Sequence, residues 1–111
     1  MKNRNYILIS KIIGYIDKIN DYSTNIDKSD FLNDSKLIEA CVFNLLQIGE
    51  LTSRLNEDFR SNHTEVPWQK IRGLRNRLVH DYEGVNLELV WDIIDNDLNS
   101  LCNQLISIND I

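Results

Sequence analysis

Seven apolar residues near the C-terminus, Leu87, Trp91, Ile94, Leu98, Leu101, Leu105 and Ile108, recur at spacings of 4, 3, 4, 3, 4 and 3. That alternation is one stripe along a helix, and Asn86 just before it is a good N-cap residue. A stripe of this length must be covered by other elements. Its regular rhythm is that of helices packed side by side in a bundle or coiled coil.

The rest of the chain supplies matching faces. Tyr6, Ile9, Ile13 and Ile16 form a stripe on a helix over about 4–20. Residues 21–30 are polar and read as a loop. A long helix over about 30–57 carries two stripes. One is Leu37, Cys41, Ile48, Leu51 and Leu55 with Asn44 inside it; the other is Ile38, Val42, Leu45 and Gly49. A helix apolar on two sides lies at a bundle centre or in a dimer seam. Gly49 within it costs about 1 kcal/mol relative to Ala, and a close helix crossing is the usual reason.

Residues 59–66 read as a loop. Pro67 suits the first turn of a third helix, whose apolar face is Trp68, Ile71, Leu74 and Leu78 and which ends near His80. Glu83-Gly84 marks the turn into the last helix. One Pro and four Gly in 111 residues leave little material for turns, so the elements are few and long. The expected fold is all-α, an antiparallel bundle of four to five helices forming a single domain over 1–111, with a core small enough that a second copy would help.

Cys41 and Cys102 fall within apolar helical patterns and read as reduced core residues. Lys2 and Arg4 precede an apolar stretch, but Lys11 and Asp17 interrupt it and no small-residue cleavage site follows. No apolar run approaches the roughly 20 residues that span a bilayer. A cytoplasmic location away from membranes is expected.

A net charge of -5 argues against a general nucleic-acid coat, because non-specific binding is mostly phosphate neutralisation. It leaves room for a local basic cleft. Lys70, Arg72, Arg75 and Arg77 form such an island, and His80 and Tyr82 follow at once. Arginine is a permanent cation with a fork suited to phosphate, and histidine moves protons near neutral pH. RNA cleavage through the substrate's own 2′-hydroxyl needs a base, an acid and a cation for the phosphorane charge. His80 can be base or acid. Arg75 can hold the phosphate. Asn76, at i, i+4 from His80, can orient the imidazole or the phosphate, and Lys70, Arg72 and Arg77 can grip flanking RNA. One subunit offers a single good proton-transfer group, so a two-fold dimer that brings in a second His80 is mechanistically attractive.

A bland alternative stands beside this. Arg75 and His80 are five apart, about 140° around a regular helix. His80 is also what a helix C-terminus favours, and Arg77 can pair with Asp81 at i+4. Other constellations are weak. There is no His-Glu-x-x-His, Cys-x-x-Cys or Gly-rich phosphate loop, so no metal or cofactor is expected. His63, in a polar loop, reads as an exposed bystander, and Trp68 and Trp91 read as core. Glu50 is open between an exposed helix residue and a cleft residue.

In order along the chain, Ile48-Gly49-Glu50, Val66-Pro67-Trp68, Arg75-Asn76-Arg77-Leu78-Val79-His80-Asp81-Tyr82, Val90-Trp91 and Leu98 resemble the HepT-like branch of the HEPN superfamily. This is the toxin half of bacterial HepT–MntA toxin–antitoxin pairs. The likeness runs from about 37 to 101, and its core is Arg-x4-His-x-Tyr. It implies a helical bundle that forms homodimers, with the motifs of two subunits meeting in a composite cleft. It implies a metal-independent endoribonuclease with RNA as substrate. Arg75 and His80 match the family's catalytic pair, and Asn76 the polar position after the Arg. Tyr82 matches the tyrosine that an MntA-like nucleotidyltransferase antitoxin modifies with AMP. Two readings compete with a toxin: a non-catalytic helical subunit that serves a nucleotidyltransferase, and a plain dimeric scaffold.

Overall fold

The computed structural model describes residues 4–78 and 86–109. The described chain is helical, without strands. Its elements are α1 (Arg4–Tyr22), α2 (Lys28–Leu32), α3 (Ser35–Ser53), α4 (Glu57–Ser61), α5 (Trp68–Arg72), α6 (Leu74–Leu78), α7 (Leu87–Asp92), a π-helical turn (Ile93–Asp97) and α8 (Leu98–Asn109).

Helix α3 is the centre. It packs along α1 on one side and against α5 and α6 on the other, with α2 at its start. This is why its sequence is apolar on two faces. Cys41, Asn44, Leu45, Ile48, Gly49 and Leu51 are buried, and Leu37, Ile38 and Val42 are half-buried. The bundle-centre reading therefore holds. The two polar groups this buries are satisfied inside the helix: Asn44 Nδ2 donates to the Ala40 carbonyl at 2.7 Å and Thr52 Oγ1 to the Ile48 carbonyl at 2.7 Å.

The outer helices close around it. In α1 the deepest line is Ile9, Ile12, Ile16 and Ile19, with Tyr6 and Ile13 on its flank. The seven-residue C-terminal stripe is buried from Ile94 onward, while Leu87 and Trp91 are half-buried. Trp91 packs on Phe31 of α2 with ring centroids 5.4 Å apart. Asn109 Nδ2 donates to Ser10 Oγ at 2.8 Å and to the Tyr6 carbonyl at 3.3 Å, which ties the end of α8 to the start of α1.

Three expectations need correction. The helix expected over 30–57 begins earlier and is divided. Asp27 and Asp30 form a capping box that starts α2, and Asp34 then caps α3 by accepting from the Leu37 N–H at 3.0 Å. The polar run 21–30 that reads as a loop thus contains the start of α2, and the second start, at Asp34, interrupts what reads as one helix. The turn before it is made by Asn25, which adopts φ 64°, a conformation that Asn tolerates better than most residues.

The loop expected over 59–66 begins instead inside a helix, α4. Phe59 is buried there against Trp68, His63 and, edge-on, Tyr6 at 5.6 Å. The aromatic contacts reward a helical turn that local polarity hides. His63 is accordingly no exposed bystander. Its side chain is 20% exposed, its ring lies 4.7 Å from that of Phe59, and its Nδ1 is 3.7 Å from Glu65 Oε1.

The third correction is to the helix expected after Pro67, which bends at Gly73 into α5 and α6. The Gly73 N–H still donates to the Gln69 carbonyl at 3.0 Å and the Gly73 carbonyl accepts from the Arg77 N–H at 2.9 Å. Its expected end near His80 lies outside the described residues.

Both cysteines are free thiols. Burial, and then the nearby Asp34 carboxylate, pushes Cys41 up to about 11; burial and then Asp17 raise Cys102. Near neutral pH both are thus held as thiols and make poor nucleophiles.

Candidate functional site

The site is built on α6, a single five-residue turn. Leu74 and Leu78 point inward and are 4% and 0% exposed. Successive residues of a helix are about 100° apart, so the three residues between those anchors fan across the outward side. Arg75 and Asn76 are exposed and Arg77 is half-buried. None of the three side chains forms a hydrogen bond or ion pair among the described residues.

What holds this turn in place is its seat on α3. A Cβ on Gly49 would stand 3.1 Å from the Ile71 carbonyl oxygen and 3.6 Å from the Leu74 Cβ. Gly49 is therefore the close helix crossing that its position suggests, and it lets α5 and α6 lie flush on the central helix. Trp68 anchors the other end. Its Nε1–H is shared between the Arg60 carbonyl at 3.0 Å and the His63 carbonyl at 2.9 Å. A tryptophan that reads as plain core is thus also the clamp on the α4–α5 connection.

This packing makes a test. Gly49→Leu is expected to destabilise the fold by about 3 kcal/mol in urea unfolding, because the backbone oxygen of Ile71 cannot rotate away. A variant as stable as wild type would show that the crossing is loose.

The chain leaves α6 and returns at the same point. The Asn86 N–H donates to the Leu78 carbonyl at 3.3 Å, and the Asn86 side chain caps α7 by accepting from the Leu89 N–H at 3.1 Å. His80, Asp81 and Tyr82 fall between these two anchors, outside the described residues, as does the Arg77–Asp81 pairing of the helix-end alternative.

The basic island divides over two flanks. Lys70 and Arg77 face α8, where they line a groove of about 280 Å³ with an apolar floor that includes Ile48, Ile71, Leu74 and Leu101. Lys70 Nζ lies 4.0 Å from Asp97 Oδ2 across its rim. Arg72 lies on the other flank, in shallow recesses beside Ser53 and Gln69 and beside Glu57 and Arg60. Arg60 is turned inward and donates to the Leu55 carbonyl. Glu50 is exposed, 3.4 Å from Arg54 Nη2 on its own helix.

The groove and its rim residues Asn96 and Asp97 were not legible in the sequence. They depend on the π-helical turn, in which the Leu98 N–H reaches back five residues to the Ile93 carbonyl. The regular spacing of the apolar stripe runs through that turn without a signal. Among the described residues, no three His, Cys, Asp or Glu side chains converge to hold a metal ion, and no helix is long and apolar enough to cross a membrane.

The all-helical bundle of the described residues is consistent with a HEPN-like domain. Residues 12–108 match the ribonuclease HepT-like family, and the chain belongs to that family. It is 34% identical over 100 residues to a Methanocaldococcus jannaschii protein provisionally named an RNase, covering 90% of this chain and 80% of that one. A Caldanaerobacter subterraneus protein, also provisionally named an RNase, is 40% identical over 76 residues, 68% of each chain. A Thermococcus cleftensis protein named as a probable ribonuclease HepT is 32% identical over 101 residues, 91% of this chain and 92% of that one. No solved structure matches the chain.

Proposed function

We propose that this protein is a metal-independent endoribonuclease and the toxin of a toxin–antitoxin pair. The reading rests chiefly on α6: Arg75 and Asn76 stand exposed and unpaired among the described residues, on a turn fixed by two buried leucines and by the Gly49 crossing. An exposed guanidinium without a partner, carried on a firmly seated turn, is free to take an incoming phosphate. Membership of the ribonuclease HepT-like family supports RNA as the source of that phosphate.

In this mechanism Arg75 binds the scissile phosphate and stabilises the charge that builds on it. One histidine takes the proton of the 2′-hydroxyl, whose oxygen attacks phosphorus as the bond to the 5′-oxygen breaks. A second proton-transfer group protonates that 5′-oxygen. A homodimer supplies the pair as two copies of His80, and Asn76 orients the phosphate or the imidazole. Lys70, Arg72 and Arg77 hold flanking phosphates. A nucleotidyltransferase partner silences the enzyme by placing AMP on Tyr82.

The experiment is to sediment the purified protein at micromolar concentration and assay the same fractions on single-stranded RNA. Cleavage that travels with a dimer is the expected result. Activity in a monomer would contradict the two-histidine site, and a dimer without activity, verified by intact mass to be free of AMP, would favour a non-catalytic subunit.

A further inference from the structure

We propose that the groove between α5–α6 and the π-turn–α8 segment is a binding subsite for one unpaired nucleotide of the RNA, next to the scissile bond. The inference rests on the ribonuclease reading but adds a site that the reading does not need.

Several features carry it. The groove lies on the flank of α6, and Arg77 on its rim is two residues from Arg75. An RNA strand crossing the outward side of that turn meets Arg75, Asn76 and Arg77 in order and arrives at the groove mouth. The floor is apolar, as the face of a base requires, and its volume of about 280 Å³ sits near the lower end for small-ligand sites.

The rim is polar in kind. Lys70 and Arg77 are cations on a chain of net charge -5. Asp97, the one carboxylate lining the groove among the described residues, is the group that Lys70 faces at 4.0 Å. The rim therefore favours an anion such as the phosphate of the same nucleotide. Asn96, Ser100 and Gln104 offer edges for a base. The Asn96 amide donates to Asp92 at 2.7 Å and the Gln104 amide to the Glu65 carbonyl at 2.9 Å, which holds both side chains and leaves their oxygens as acceptors.

The π turn adds an independent sign. It makes one wall of the groove, and such turns inside helices recur at functional sites. A paired base could not enter, since its face and edge are already occupied in a duplex. The groove thus selects single-stranded RNA.

The test uses a short fluorescent single-stranded 2′-O-methyl RNA, which lacks the hydroxyl that cleavage needs, so binding is read apart from catalysis. Wild-type protein is expected to bind it at least about tenfold more tightly than the same sequence in a duplex. Ser100→Trp, which fills the groove from an exposed rim position, is expected to weaken single-strand binding by about tenfold or more. Ser107→Trp, exposed on the same helix and not lining the groove, should bind as wild type does. Equal binding of single strand and duplex would overturn the subsite, as would unchanged binding by Ser100→Trp or no binding by wild type. If wild type binds and discriminates but never cuts unmodified RNA, the subsite stands and the ribonuclease reading fails.

Discussion

Arg75→Ala and His80→Ala are each expected to reduce RNA cleavage by at least about a hundredfold while leaving the helical circular dichroism and the unfolding midpoint near wild type. Arg75 stands on the outward side of α6. Its side chain is exposed and makes no contact of energetic weight among the described residues, so truncation removes little stability. Its proposed role is to meet charge that grows in the transition state, and losing one such donor typically lowers kcat by about 10²–10³-fold. For His80 the expectation follows from its role: a positioned proton-transfer group contributes about 10²–10⁴-fold. In a dimer with two copies of His80 the substitution removes base and acid together, so His80→Ala should be the more severe. Lys in place of Arg75 keeps the charge but loses the planar fork, and partial activity is expected. If either Ala variant unfolds, the residue holds the helix end together and the bland reading of this segment gains.

Modification of Tyr82 with AMP is expected to abolish cleavage, and Tyr82→Phe to keep much of the activity while escaping the partner. Tyr82 is seven residues after Arg75 in the sequence, and an AMP attached there is expected to bring its phosphate to the guanidinium. There it competes for the cation that the transition state needs, with charge-assisted hydrogen bonds stronger than neutral ones. The Phe variant loses only the acceptor hydroxyl. Incubation with a nucleotidyltransferase partner and ATP, followed by intact mass and an RNA assay, reads both halves at once. A Phe variant silenced as fully as wild type would move the regulatory site elsewhere.

Most of the architecture was open to reading because it rests on periodicity. The stripes on α1, α3 and α8 are consequences of burial on one or two helix faces, and Gly49 declared a close crossing because a glycine inside a helix is otherwise costly. The parts that escaped depend on side chains meeting across the fold or on caps. Phe59 is buried because Trp68, His63 and Tyr6 surround it, and the charge pattern of residues 57–61, acidic at the start and basic at the end, is too short a signal to outweigh the polarity around it. The division of the expected long helix turns on Asp34 choosing to cap rather than to continue. The same distinction applies to the site. The Arg-x4-His-x-Tyr spacing marked the segment, while the separation of Arg72 from Lys70 and Arg77 required knowing that α5 has the groove on one flank and shallow recesses on the other.

The Gly49 crossing ties that architecture to the chemistry. The turn that carries Arg75 is seated closely on the central helix, which fixes where its backbone stands. Precision of this kind, held by a rigid neighbour, is what a phosphate site needs.

The account is tested most directly by the ends it leaves on RNA. End-labelled single-stranded RNA, incubated with AMP-free protein in excess EDTA and resolved by mass, should yield 5′ fragments ending in a 2′,3′-cyclic phosphate, or its hydrolysis product, and 3′ fragments beginning with a 5′-hydroxyl. A requirement for Mg²⁺, or fragments bearing a 5′-phosphate and a 3′-hydroxyl, would contradict attack by the 2′-hydroxyl and with it the roles given to His80 and Arg75.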